Sequence, residues 1–146
     1  MTEIDVDVVA SRLTLMRDLL RYLEGVGQVT GEHLAADLER RLAVERALCQ
    51  LVDQAVDVNS HLATRVLTRP PQTQRESFDL AARAGFLPPA LAGRLGPSTG
   101  LRNLLVHDYA EVDLHRIAAA IPHAVQDYGE YVREVGRALG RGGDGG

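Results

Sequence analysis

The sequence predicts an all-α protein, folded as an up-down bundle of four to five helices. Apolar residues recur at three- and four-residue steps along most of the chain, which is the repeat of an amphipathic helix. Aromatic residues make up only 4% of the composition, and no convincing alternation of apolar and polar residues indicates a strand. A length of 146 residues is ordinary for one domain, so we expect a single helical domain over 1–139 and a flexible, glycine-rich tail over 140–146.

The first two helices are predicted from their apolar faces and their stop signals. The first extends from about Asp7 to Glu24, before Gly25 and Gly27, and its inner face carries Val9, Leu13, Met16, Leu20 and Leu23. The second begins after Thr30 and Gly31 and continues to about Thr68, before two prolines. This is unusually long for one helix, so we expect a break or kink whose position the pattern does not give.

The second half of the chain predicts shorter helices and then one long one. Thr73 and Glu76 have the spacing of a capping box and begin a helix that ends at Gly85. A short helix follows over 89–95, and another carries the segment around Arg102. The last helix is expected from about Asp113 to Leu139, and Pro122 inside it should kink it.

Composition excludes several classes of protein. A net charge of -4 argues against broad, nonspecific coating of nucleic acid, although a small basic cleft is compatible with it. The single cysteine, Cys49, has no partner for a disulfide and lies in an apolar run, so we interpret it as a buried small hydrophobe. The chain shows no signal-peptide pattern and no apolar run near the roughly 20 residues that span a bilayer. We therefore expect a cytoplasmic protein.

Chemically useful side chains concentrate between Arg102 and Tyr109. On a helix, Asn103 and His107 share one face with Arg102 beside them, and we expect the apolar run Leu104–Val106 to cover the opposite, core-facing side. An imidazole can transfer protons near neutral pH, and a guanidinium can bind a phosphate and offset its developing charge. This set suits cleavage of RNA without a metal ion.

The spacing alone is weak evidence, because Arg and His five apart are common and an Asn–His pair on a helix often has a purely structural role. One chain also supplies one such histidine, whereas cleavage of a phosphodiester by acid–base chemistry usually uses two proton-transfer groups. A two-fold symmetric site, to which each chain contributes Arg102 and His107, would meet that need.

A resemblance strengthens this hypothesis. Arg102-Asn103-x3-His107-x-Tyr109 matches the Arg-polar-x3-His-x-Tyr motif of the HEPN superfamily, in its HepT-like toxin branch. The segment 44–50 resembles that branch's second-helix signature, and 76–88 resembles its linker helix and exit. The likeness covers roughly 5–135 and follows the usual order of the motifs.

The resemblance implies a helical homodimer that is a metal-independent endoribonuclease and the toxin of a toxin–antitoxin pair. It implies Arg102 and His107 as catalytic residues with Asn103 in support, and it implies no cofactor and no metal. It also implies an MNT-type nucleotidyltransferase antitoxin that neutralises the toxin by transferring AMP to Tyr109. Phosphate added there would place negative charge where RNA must bind.

Other residues receive simpler interpretations. Asp53, Asp57 and His61 lie at four-residue steps and suggest a metal face, but no fourth ligand is near and we reject it. Arg46 could line the cleft, but we favour a position on the helix surface or in a partly buried ion pair. His115 and His123 are expected to face solvent. Tyr128 and Tyr131 are expected in the core or at a dimer contact. Candidates for a basic rim around the site are Arg65, Arg69, Arg75 and Arg94.

Two alternatives stay open. The first is a non-catalytic HEPN module that binds a nucleotide or a nucleotidyltransferase partner and cleaves nothing. The second is a purely structural helical assembly domain.

Overall fold

The computed structural model describes residues 3–144, apart from the side chains of 109 and 142–144. Helices account for nearly all regular structure in that range, and no strand occurs in it, so the all-α prediction is confirmed. The fold divides more finely than expected, into seven α-helices and one 3-10 turn. In chain order they are α1 Val6–Val26, α2 Gly31–Ala36, α3 Leu38–Leu67, α4 Gln74–Arg83, α5 Pro89–Leu95, α6 Ser98–His107, the turn Tyr109–Glu111 and α7 Leu114–Asp144.

The first helix matches its prediction closely. Its amino end is capped by Asp5, whose Oδ1 accepts a hydrogen bond from the Val8 N–H at 3.2 Å. All five residues predicted for the inner face are buried. The chain leaves the helix through Gly27, whose φ of 71° lies in the left-handed region that glycine adopts without strain.

The long second helix of the prediction is broken at Asp37. Asp37 ends α2 with an extended backbone, and its Oδ1 accepts a hydrogen bond from the Arg40 N–H at 3.1 Å to begin α3. A side chain that caps the next helix therefore sets the break, since aspartate competes well for free N–H groups at a helix start. Beyond the break, α3 continues for 30 residues.

The last helix differs from its prediction at its carboxyl end. Pro122 lies inside α7, as expected, and the kink at that position stays a prediction. The helix does not end at Leu139: residues 140–144, expected to belong to the tail, continue it to Asp144. Residues 145–146 lie outside the described range. Arg137 and Glu134, one turn apart, form an exposed ion pair at 3.0 Å near this end.

The core lies where α1, α3 and α7 pack together, with α4 and α5 closing one side and α6 resting on α3. A buried polar cluster joins three of these helices: Tyr131 of α7 donates to Asn59 Oδ1 of α3 at 2.7 Å, and Asn59 Nδ2 donates to Ser77 Oγ of α4 at 3.1 Å. Phe78 packs edge-on against Tyr131, with ring centroids 6.2 Å apart. Tyr128 and Tyr131 are therefore core residues, as one of the two expectations stated.

No helix within residues 3–144 combines the length and the apolar character needed to cross a membrane.

Candidate active site

The candidate site is built on α6, which presents one side to α3 and the other to solvent. Leu105 points into the core and is buried, while Leu101 and Leu104 are half-buried on either side of it. At about 100° per residue, these three side chains centre on one stripe of the helix. The opposite stripe carries the polar residues of the motif.

The structure corrects the expected orientation of Val106. We expected it to face the core with Leu104 and Leu105, but its side chain is 48% exposed. The geometry of the helix gives the reason: at about 100° per residue, position 106 falls between positions 102 and 103 on the outward stripe. An apolar side chain thus lies in the middle of the polar motif.

Arg102 is held in place by a carboxylate from another helix. Its Nε donates to Asp53 Oδ1 of α3 at 2.8 Å, and its Nη1 donates to the neighbouring Asn103 Oδ1 at 3.3 Å. The Arg102 side chain is 20% exposed and that of Asp53 is 30% exposed, so the pair is partly shielded from water. Among the side chains that the structure describes, none accepts from Arg102 Nη2, which leaves donors for a ligand.

Asn103 and His107 are both exposed, one turn apart on the outward stripe. His107 is the last residue of α6, where the next N–H, of Asp108, bonds back to the Leu104 carbonyl at 3.0 Å. The structure therefore brings Arg102 into contact with Asn103 and leaves the His107 imidazole free at the helix end, within the described side chains. Tyr109 begins the 3-10 turn that follows, and its side chain lies outside the described residues.

Asp53 is a site residue that the sequence analysis considered only for a metal face, which it rejected, and did not connect with Arg102. It does not form a face with Asp57 and His61: Asp57 pairs with Arg12 Nη2 at 3.8 Å, and His61 Nε2 accepts from the Asp5 N–H at 3.0 Å. Within residues 3–144, no group of three or more His, Cys, Asp or Glu residues is placed to hold a metal ion. The carboxylate of Asp53 serves Arg102 instead.

Most of the remaining expectations concern residues away from the site. Cys49 is buried, and burial, followed by the nearby charge of Asp53, raises the pKa of its thiol, so it stays protonated as a small apolar group. Glu45 is buried and pairs with Arg41 at 2.9 Å, whereas Arg46 is exposed. His115 and His123 are exposed, as expected.

A cavity of about 230 Å³ opens beside Arg102, between α3, α5, α6 and α7, and is called the Arg102 cavity below. Of the four arginines expected to form a basic rim, only Arg94 lines it, together with Arg116 and His123. Its wall is mostly apolar, and at its base the Tyr128 hydroxyl shares a 2.6 Å hydrogen bond with Ser98 Oγ. Burial raises the pKa of Tyr128 well above its usual range, so that hydroxyl stays neutral.

Comparison with known proteins agrees with this fold. The family model described as "Ribonuclease HepT-like" matches residues 14–135. A protein named tRNA nuclease HepT from Aphanizomenon flos-aquae is 32% identical over 139 residues, covering 95% of both chains. One named mRNA nuclease HepT from Shewanella oneidensis is 23% identical over 126 residues, covering 86% of this chain and 94% of its own length.

Solved structures with this fold include a tri-AMPylated Shewanella oneidensis HEPN toxin in complex with MNT antitoxin. It superposes with a TM-score of 0.79 at 22% identity, covering 90% of this chain and 98% of its own. YutE from Bacillus subtilis, a cytosolic protein of unknown function, gives 0.79 at 16% identity over 95% and 93% of the two chains. At these identities the likeness shows a shared fold and nothing further.

The helical bundle, with Arg102, Asn103 and His107 on one outward helix, defines a protein of the HEPN class. Within that class, the chain belongs to the ribonuclease HepT-like family. The expectation of an enzyme that cleaves RNA is thereby confirmed at the level of the family.

Proposed function

We propose that this protein is an endoribonuclease that needs no metal ion, and that it acts as the toxin of a toxin–antitoxin pair. The observation that carries the proposal is the arrangement on α6: an arginine fixed by Asp53, with a free histidine at the end of the same helix. The relatives named tRNA nuclease and mRNA nuclease support RNA as the substrate.

Arg102 is suited to bind the phosphate that is cut. Its Nε is occupied by Asp53, which fixes the plane of the guanidinium, and Nη1 and Nη2 keep N–H donors beyond the one that Asn103 accepts. A guanidinium in a fixed plane loses little entropy when it binds two phosphate oxygens, and it stabilises the charge that grows on them. Asn103 accepts from Nη1 and so limits rotation of the same group.

His107 is suited to transfer protons. In the proposed reaction the 2′-oxygen of a ribose forms a bond to phosphorus, and the bond from phosphorus to the 5′-oxygen of the next nucleotide breaks. One imidazole takes the proton of the 2′-OH, and a second group returns a proton to the leaving 5′-oxygen. The products are a 2′,3′-cyclic phosphate and a free 5′-hydroxyl, and no metal or cofactor takes part in the proposed reaction.

The two proton transfers are the reason to propose a homodimeric site. Each chain offers His107 once, and a two-fold contact would bring two copies of Arg102 and His107 to one cleft. The exposed Val106 supports such a contact, because it places an apolar side chain on the outward stripe between the polar residues.

The test is RNA cleavage by the His107→Ala protein, with His115→Ala as its matched control. His115 is also an exposed histidine, but it lies on α7 beside Glu32. We expect His107→Ala to lower kcat by about 10² to 10⁴, the usual contribution of a positioned acid or base, and His115→Ala to leave it unchanged. Wild-type cleavage should persist in EDTA, and its rate per chain should fall on dilution as the dimer dissociates.

Equal rates for His107→Ala and the wild-type protein would overturn the catalytic proposal. A wild-type protein that binds RNA without cutting it would instead favour a non-catalytic binding module.

We further propose Tyr109 as the point of neutralisation by a nucleotidyltransferase of the MNT type. The tyrosine oxygen would form a bond to the α-phosphorus of ATP, pyrophosphate would leave, and the phenolic proton would pass to solvent. Because Tyr109 follows α6 by two residues, the added phosphate would lie near Arg102 and His107 and compete with RNA for them. The solved toxin–antitoxin complex of the Shewanella relative, described as tri-AMPylated, supports this regulation.

Intact mass spectrometry after incubation with such an enzyme and ATP tests this step. We expect added AMP on the wild-type protein and none on Tyr109→Phe. Modification of Tyr109→Phe to the same extent would place the acceptor elsewhere.

A further inference from the structure

The Arg102 cavity has the dimensions of a small binding site. Its volume, about 230 Å³, is below the roughly 300–1,000 Å³ of pockets that hold drug-sized ligands. A single planar ring system therefore suits it better than a dinucleotide or a peptide segment. Its apolar wall comes from four helices and is fixed by the core, since Leu48, Val52 and Leu95 are all buried.

The arginines around the cavity favour a ligand that carries phosphate groups next to the part that enters the cavity. Arg94 is neutralised by Asp127 and Glu130. Arg116 is exposed and, within the described part of the chain, forms no ion pair. Arg102 is itself paired with Asp53, so Arg116 is, among the described side chains, the one unpaired cation of the three arginines that line this apolar recess, while Arg102 contributes its remaining N–H donors.

The position of Arg102 links the cavity to the motif. On α6, Leu101, Leu105 and Arg102 border the cavity, while Asn103 and His107 lie on the outward stripe beyond Arg102. A phosphate bound by Arg102 would thus have the cavity on one side and His107 on the other. Bases of single-stranded RNA are recognised by being unstacked and inserted against apolar or aromatic surfaces.

We infer that the Arg102 cavity binds one unstacked base of single-stranded RNA, adjacent to the phosphate that Arg102 contacts. The inference rests on the proposed function and adds a substrate subsite to it. Ser98 Oγ donates to the Leu95 carbonyl and accepts from the Tyr128 hydroxyl, so these two oxygens and the Asp127 carboxylate offer acceptors to the donors of the base edge. Arg116 meets the next phosphate.

The experiment combines an abasic RNA with a variant that fills the cavity. Ala120 lines the cavity, and Ala120→Phe would occupy it; Ala119, its neighbour on α7, is exposed and outside the cavity, so Ala119→Phe is the matched control. The cleaved bond is first mapped on an all-ribose oligonucleotide. Binding is then measured on 2′-O-methyl oligonucleotides in which each nucleotide flanking that bond is made abasic in turn.

We expect one flanking position at which removal of the base weakens wild-type binding by about tenfold or more, the size of a typical contribution from one stacked base. The same penalty should appear with Ala119→Phe and disappear with Ala120→Phe, as expected for two changes that remove one interaction. If circular dichroism shows that Ala120→Phe is unfolded, Ala124→Leu, which fills the same cavity less fully, takes its place.

The outcomes separate the two proposals. A wild-type protein that neither binds nor cleaves RNA would overturn the proposed function, and the base subsite with it. A wild-type protein that cleaves RNA, but shows no abasic penalty or keeps it in full with the cavity filled, would overturn the base subsite alone.

Discussion

The chain has two asparagines, and they lie in regions of opposite character. Asn59 on α3 is fully buried and bonds to Tyr131 and Ser77, so its amide joins three helices. Asn103 on α6 is exposed and accepts one hydrogen bond, from Arg102 next to it. The same side chain thus fixes the fold where its partners are internal, and stays available to a ligand where they are few.

Replacing Asn59 with Ala should have the largest effect, and the effect should be on stability. The change removes two buried hydrogen bonds and leaves a small cavity, which together cost about 1–3 kcal/mol of unfolding free energy or more. Urea denaturation measures it. RNA cleavage per folded molecule should not change, because Asn59 lies outside the motif; a specific loss of cleavage with unchanged stability would contradict the comparison.

Replacing Asp53 with Asn should act mainly on function. The amide is a weaker acceptor for the Arg102 Nε–H than the carboxylate, so Arg102 would lose its fixed orientation. We expect kcat/KM for RNA to fall about tenfold, equivalent to about 1.4 kcal/mol of transition-state stabilisation. The unfolding free energy should change by less than about 1 kcal/mol, because the pair is partly exposed.

Asp57→Asn is the matched control for this positioning role. Asp57 lies one turn further along α3 and pairs with Arg12, away from α6. We expect a similar small change in stability and no change in kcat/KM. Equal cleavage by Asp53→Asn and Asp57→Asn would mean that Asp53 does not position Arg102.

The comparison also shows how far the sequence alone could lead. The inner face of α1 was predicted correctly because the apolar residues that form it recur at three- and four-residue steps within one continuous segment. The bond between Asp53 and Arg102 joins residues 49 apart in the chain, and its existence depends on how α6 crosses α3. The spacing of residues within either helix does not predict how the two helices cross. Val106 was assigned to the core from its apolar character, although its angle on the helix placed it outward.

The break at Asp37 illustrates an intermediate case. Its side chain is a good helix cap, but the same residue is also tolerated on an exposed helix surface, so its type did not decide the position of the break. The cap is recognisable as a break only in the fold, where α2 packs against α7 and α3 packs against α1.

Replacing Asn103 with Ala should have the smallest effect of these changes. Unlike Asn59→Ala, it should lower RNA cleavage and leave the unfolding free energy nearly unchanged. The lost hydrogen bond to Arg102 Nη1 is exposed, so the unfolding free energy should stay within about 0.5 kcal/mol of the wild-type value. Cleavage should fall about two- to tenfold, the equivalent of one net hydrogen bond of about 0.5–1.5 kcal/mol in the transition state. Urea denaturation tests the expected stability, and kcat/KM measured on the same preparation tests the expected loss of cleavage. A stability loss as large as that of Asn59→Ala would mean that Asn103 belongs to the fold rather than to the site, and that exposure does not separate the two asparagines.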